Sequence, residues 1–446
     1  MNKGSGLLGR LNSGLMLPAA FLVFAAALDP GVQAQTRYGR LEAAISRTRW
    51  IDVHAHPASR HVDYPAEDTY PTLEPPIGRP YWPIIQDRIA VFDSLEPAAL
   101  RAIYGYAGTD VTENDLPGLR ALSREFWGAG GPAGLDRVLD ICGIEKALAN
   151  SDEPRSDVDP ARVAWVPFAD CFLFPFAAPK ITGMPPRLRE IIDACSDAVA
   201  GRLGDSGRSA VHLGAYLDSV DAALAGWKRR GAAALKMGIA YHRTLRFDDP
   251  GWEEAAAVFA EGRQGTLESW EKYKKLQDAI ARRIFLRAGE LGLPVHFHTG
   301  FGADARLQLA DSNPLNLEGV LTDLRYRNTR FLILHAGYPF WNELKPLLEK
   351  RNVFVEFSAA NWMVFEDELA RILEGWLSYP GASEKIMFGS DAGAPAFFWI
   401  AAHNSRRALF RALASLIDRG TITEEKAIRA AGKVMRENAL RVHNLP

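Results

Sequence analysis

Beyond residue 34, short apolar runs of strand length alternate with stretches in which apolar side chains recur every three to four positions. The runs fall at 50–56, 144–149, 163–168, 232–236, 295–298, 331–335, 353–357 and 386–389. Helical spacing marks 213–230, 266–291, 343–350, 366–377 and 401–418. Gly231 and Gly292 stand where two of these helices should end. Eight strands alternating with helices predict an α/β fold, a parallel (β/α)8 TIM barrel, whose minimal form takes about 250 residues. The surplus of a 446-residue chain goes into insertions. The largest, 58–131, follows the first strand and is rich in Pro, Tyr and Trp. It is expected to form a mostly helical cap beside the barrel mouth.

Residues 1–34 have a different character. Lys3 and Arg10 precede an apolar stretch from Leu15 to Leu28 that only Pro18 interrupts, and Val32-Gln33-Ala34 supplies the small residues of a cleavage site. This is the pattern of a secretory signal peptide, shorter than a comfortable membrane span. The mature barrel, 35–446, is then expected in the periplasm or outside the cell, without stable membrane association; an N-terminal anchor is the competing reading. With 52 basic and 54 acidic residues the net charge is −2, which gives nucleic acid nothing to hold. The expected partner is a small-molecule substrate, and association into a homo-oligomer stays open. Cys142, Cys171 and Cys195 are too few for a disulfide framework and lack zinc-knuckle spacing. An oxidising compartment would allow one disulfide, whereas three buried thiols acting as small hydrophobes is the plainer reading.

The candidate chemistry sits at strand ends. Asp52-Val53-His54-Ala55-His56 closes the first run, and alternation along a strand puts His54 and His56 on one face. His296 and His298 close the fifth run, His335 the sixth, and Asp391 follows the eighth. Barrel active sites form at these C-terminal ends. Buried imidazoles and a carboxylate are costly unless paired, and a divalent ion, most simply zinc, pairs with all of them at once. A lone His-x-His triplet occurs often by chance, but followed in order by two strand-end histidines and a strand-end aspartate it is specific. No Ser nucleophile elbow with a credible triad and no phosphate-cradling loop is present.

The segments His298-Thr299-Gly300-Phe301-Gly302, Ser312-Asn313-Pro314-Leu315, His335-Ala336-Gly337-Tyr338-Pro339-Phe340, Phe388-Gly389-Ser390-Asp391 and 235–243 resemble the amidohydrolase superfamily of metal-dependent barrel hydrolases. The likeness extends over most of the mature chain and is greatest to the branch fused to glutamine-synthetase-like domains. It implies one or two divalent ions per chain, held by His54, His56, His298, His335 and Asp391. Asp391 would also take the proton of a metal-bound water, whose pKa such an ion lowers to about 7, and His335 would serve as a ligand or an electrophilic partner. Two-metal relatives carbamylate a lysine at the position of Lys236 to bridge the ions; a lysine touching substrate and a structural ion pair are the alternatives. His296 reads as a supporting or core histidine one layer deeper.

Tyr241, Arg243 and Tyr338 are placed at the mouth as substrate-binding residues, and Arg243 is suited to gripping a carboxylate. Glu356 and Ser358, ending the seventh run, could support the site or touch substrate. His61, His212, His242, His403 and His443 fit no ligand position. The expected reaction is hydrolysis of a C–N bond, an amide or lactam of a small carboxylated molecule. A carbon–carbon lyase, decarboxylating on the same site, is the alternative, and a non-catalytic binding protein is third.

Overall fold

The computed structural model describes residues 38–58, 90–128, 132–176, 180–208, 210–302 and 307–446. Eight strands form where the apolar runs predict them: β1 Trp50–Ala55, β2 Ile144–Asn150, β3 Val163–Val166, β4 Leu235–Met237, β5 Val295–Phe297, β6 Phe331–Ile333, β7 Val353–Glu356 and β8 Ile386–Met387. Regular pairing joins β1-β2-β3 and β4-β5-β6-β7-β8, every neighbour parallel. Two seams close the ring. Between β3 and β4, Ala233 N donates to Trp165 O (2.9 Å) and Lys236 N to Pro167 O (2.8 Å). Between β8 and β1, Val53 N donates to Phe388 O (3.0 Å), Asp391 N to His54 O (2.8 Å) and His56 N to Ala392 O (2.9 Å). The second seam is laid by the residues that carry the candidate chemistry, so closing the barrel also brings the first and last strand ends together.

The connecting helices follow the periodicity. Leu213–Arg229 buries Leu213, Tyr216, Leu217, Val220, Leu224 and Trp227 along one face. Trp270–Leu291 begins at an N-cap where Ser269 Oγ accepts from Lys272 N, and ends at Gly292 in the left-handed region, φ 64°. The last long helix, Pro395–Asp418, starts six positions before its predicted first residue, because Pro395 is preset for a first turn. The expected cap falls partly outside the described residues, at 59–89. Its described part is helical, with Ala90–Tyr104 and Leu116–Trp127; Pro132–Ile141 then leads into β2. The expected leader, 1–34, also lies outside the described residues. Among the described residues no helix is long and apolar enough to cross a membrane.

Several helices escaped the periodicity, Trp252–Gln264 and Glu424–Gly432 among them. Pro186–Arg208 forms a helix between β3 and β4, with Gly204 (φ 61°) breaking its regularity. At the other end of the barrel, Asn438–His443 places Ala439 and Val442 in the cluster of Leu148, Val166, Leu332, Leu334 and Met387. The chain's last helix thus completes the core.

Candidate metal centre

Asp391 is the hub. Its Oδ1 lies 3.0 Å from His54 Nε2 and 3.4 Å from His56 Nε2, and its Oδ2 lies 3.7 Å from His335 Nδ1. A β1 register shift between Asp52 and Ala55 leaves His54 and His56 both facing Asp391. His298 packs against His335 with ring centroids 4.6 Å apart, and Tyr241 covers the other side of His298 at 4.2 Å. Lys236 Nζ approaches His54 Nε2 to 3.3 Å. All but His56 and Tyr241 of these groups are buried. The donor atoms of His54, His335 and Asp391 lie within 4.8 Å of one another, a separation that one ion can bridge.

Supporting hydrogen bonds fix which ring nitrogen faces the centre. Asn150 Oδ1 sits 2.8 Å from His54 Nδ1, so that nitrogen carries the proton and Nε2 presents its lone pair to Asp391. Ser358 Oγ donates to Glu356 Oε1 (2.8 Å) and lies 2.8 Å from His335 Nδ1, from which it accepts; His335 Nε2 is then the bare nitrogen. Glu356 also accepts from His335 N (2.6 Å) and Ser358 N. Against those hydrogen bonds, burial pushes the Glu356 carboxyl up to about 8. Asp52 Oδ1 accepts from His54 N (3.1 Å) and Ser390 N (2.9 Å), tying β1 to the loop after β8; burial raises its pKa to about 7.

The electrostatics suit a cation. Burial, helped by nearby Lys236, lowers His54 to about 3. Burial also holds His298 and His335 well below the ordinary imidazole value. These rings are neutral at pH 7. Although burial works against ionisation, the facing His335 and His54 rings and a hydrogen bond from His56 keep Asp391 well below the usual carboxylate range. His54 Nε2 and Asp391 Oδ1 therefore meet lone pair to lone pair at 3.0 Å, a contact that a positive charge stabilises, whether the Lys236 ammonium 3.3 Å from His54 Nε2 or a bound cation. Among the described residues the buried His298 Nε2 has no hydrogen-bond partner. Neutral imidazoles, an ionised carboxylate and an orphaned ring nitrogen form a deprotonated donor set that fits a divalent ion.

The backbone is strained at the same place. His335, Ala359 and Asp391, after β6, β7 and β8, have φ of 63°, 56° and 55°, a left-handed region that costs non-glycine residues about 1–3 kcal/mol each.

Arg243 departs from expectation. It follows the short turn Ile239–Tyr241, but its guanidinium turns into the protein, 1% exposed. It pairs with Asp278 at 2.7 Å and donates to Gln277 Oε1, Arg246 O and Thr244 O. Two buried acceptors on the helix Trp270–Leu291 outcompete solvent for it, so no fork is left for a substrate carboxylate. Tyr338 is half-buried, its hydroxyl 3.3 Å from Glu368 Oε1. His296 is a core histidine: its Nε2 lies 2.8 Å from Nε2 of His443, whose Nδ1 is held by Ala439 O. His212 caps a helix, His403 stacks on Trp399, and His61 lies outside the described residues. Asn150, which orients His54, carried no sequence signal beyond ending a strand.

The described strands close a parallel barrel with a histidine–aspartate cluster at its strand ends. Residues 265–445, which carry His298, His335 and Asp391, match the model of the amidohydrolase family. Protein fluG of Emericella nidulans is 28% identical over 179 residues, 39% of this chain; the chain spans a fifth (20%) of that relative's length. Among solved structures, a protein of Lactobacillus casei described as a metal-dependent hydrolase superposes with a TM-score of 0.63 at 14% identity, covering 91% of this chain and 97% of its own. Uronate isomerases of Thermotoga maritima (0.63, 11%, 90% and 96%) and Bacillus halodurans (0.61, 15%, 92% and 96%) have the same fold.

Proposed function

We propose that the protein is a zinc-dependent hydrolase of a C–N bond, an amide or lactam, in a small carboxylated molecule. The observation that carries this is the 3.0 Å contact of His54 Nε2 with Asp391 Oδ1 among neutral imidazoles. His54, His56, His298, His335 and Asp391 would hold the ion, which supplies Lewis acidity and acidifies water. Asp391, ionised and in contact with three histidines, accepts the proton of the attacking water and returns it to the leaving nitrogen. Asn150 and Ser358 hold the His54 and His335 rings in the tautomers this requires. With Arg243 committed elsewhere, Lys236 would meet a substrate carboxylate. Tyr241 forms the wall over His298. Residues 1–34 would direct export, leaving Gln35 as the mature N-terminus, which intact mass of the secreted protein reads directly.

Purified protein is expected to contain at least one transition metal per chain and to release amine from a panel of γ-glutamyl amides, dipeptides and lactams. Chelation should abolish the activity and zinc restore it. Asp391→Asn should stay folded and lose about 10²–10⁴-fold in kcat, the usual worth of acid–base assistance. Carbon dioxide release from aromatic acids without amine release would replace hydrolysis by the lyase reading. Full activity in metal-free protein would end both.

A further inference from the structure

We propose that Cys171 and Cys195 are a site of covalent modification, the two halves of a disulfide that fastens the turn after β3 to the helix Pro186–Arg208. Cys171 lies on the short turn Asp170–Leu173, and Cys195 is buried on the helix that packs over it. Their sulfurs are 2.8 Å apart although 24 positions separate them in the chain. That is inside van der Waals contact and within about 1 Å of the bonded separation of about 2.05 Å. Cys142 is also buried but sits beside Gly143, next to β2, near the Arg406 guanidinium, with no sulfur neighbour. The pairing is therefore unambiguous.

The environment selects the attacking sulfur. Hydrogen-bond contact with Cys195 and the Arg202 guanidinium nearby favour the Cys171 thiolate over the thiol. With a small disulfide such as oxidised glutathione, Cys171 attacks one carrier sulfur, forming a mixed disulfide and releasing one carrier thiol. Cys195, losing its proton to solvent, then attacks the Cys171 sulfur and releases the second. Two protein thiols are oxidised by two electrons and one carrier disulfide is reduced to two thiols.

What the bond would fasten lies close to the metal centre. Asp170 Oδ2 accepts from Gly238 N (2.8 Å), and Ala169 N donates to Lys236 O (2.9 Å). The turn that carries Cys171 thus braces the end of β4, where Lys236 stands beside His54.

The test uses the full chain, treated with oxidised glutathione, unfolded without reductant and labelled with N-ethylmaleimide. Intact mass should show one label instead of three, and digestion should give a peptide pair joined at Cys171 and Cys195. Cys142→Ser should take no label, and Cys195→Ser, lacking the resolving thiol, one label plus one glutathione adduct on Cys171. Closing a 24-position loop should raise Tm by about 4 °C over the reduced protein. Three labels after oxidation, or a linked peptide containing Cys142, would overturn the pairing. A bond that forms without moving Tm would overturn the claim that it fastens the turn.

Discussion

Arg243 gives the sharpest division between a residue that binds substrate and one that builds the fold. Its guanidinium and the Asp278 carboxylate are 2.7 Å apart and both buried. Removing one member of such a pair costs about 3–5 kcal/mol, most of it for the charge left behind. The two halves are not equivalent here. Asp278 keeps Lys274 Nζ at 2.7 Å and the Asp248 amide at 3.0 Å when Arg243 is lost, so Arg243→Met should fall near 3 kcal/mol, the low end of that range. Asp278→Leu strands the guanidinium with only Gln277 and two carbonyls, and should approach the upper end, about 5 kcal/mol. With an unfolding entropy of about 2.1 cal/mol/K per residue over roughly 400 residues, these become losses of about 4 and 6 °C in Tm. Calorimetry of both variants, with KM measured well below the melting range, decides the matter. A charge-assisted bond to substrate is worth about 1.5–3 kcal/mol, or roughly 10–100-fold in KM. An unchanged Tm with KM raised tenfold in Arg243→Met would refute the structural role.

Two further perturbations address the barrel interior. Burial pushes His443 down to about 4. Because its folded-state pKa lies below the unfolded value of about 6.5, its contribution is fully present above that pH and is lost as pH falls toward 4, by about 1.4 kcal/mol per pH unit. The urea midpoint should therefore drop between pH 6.5 and 5 and drop less in His443→Gln; equal slopes would show that another group is responsible. Gly389→Ala would place a methyl 2.4 Å from Glu356 Oε2 and 3.1 Å from Ser358 Cβ, forcing Glu356 off the His335 amide. Metal content after mild dialysis should fall with little change in helix content by circular dichroism, and a variant that keeps its full metal complement would show that this carboxylate does not hold His335 in place.

The barrel and the candidate donor set were legible in the sequence for the same physical reason. Both are written in short-range periodicity: strands in apolar runs, candidate ligands as the polar residues that end them. The order His54, His56, His298, His335, Asp391 therefore maps onto the ends of β1, β5, β6 and β8, which share one mouth once the ring closes. What could not be read depends on contacts distant in sequence. Arg243 at a mouth loop looks the same in sequence whether it faces water or Asp278, 35 positions on. His296 and His443 are 147 positions apart, and neither has a reason to be buried until the last helix reaches the barrel core. Asn150 is an ordinary strand end until β1 brings His54 against it. The tautomers of the ligands, on which the chemistry rests, thus come from the least legible residues.

Strain and electrostatic conflict converge on one point of this molecule. Elsewhere its choices agree with local rules: glycine where a helix ends left-handed, serine at an N-cap, proline in a first turn. After β6, β7 and β8, three successive strand ends instead hold a non-glycine residue at positive φ, and two of the three are His335 and Asp391. In the same few ångströms a carboxylate faces imidazoles kept neutral by burial, and a buried ring nitrogen has no partner among the described residues. Each departure costs stability, and hydrophobic packing alone would relieve all of them. A cation held by these residues would relieve them together and would give His298 Nε2 a partner. It also gives the left-handed turns a purpose, since they set the positions of the side chains that would bind it. The cost is local and shared by neighbouring residues, as in a centre built to hold an ion and use it.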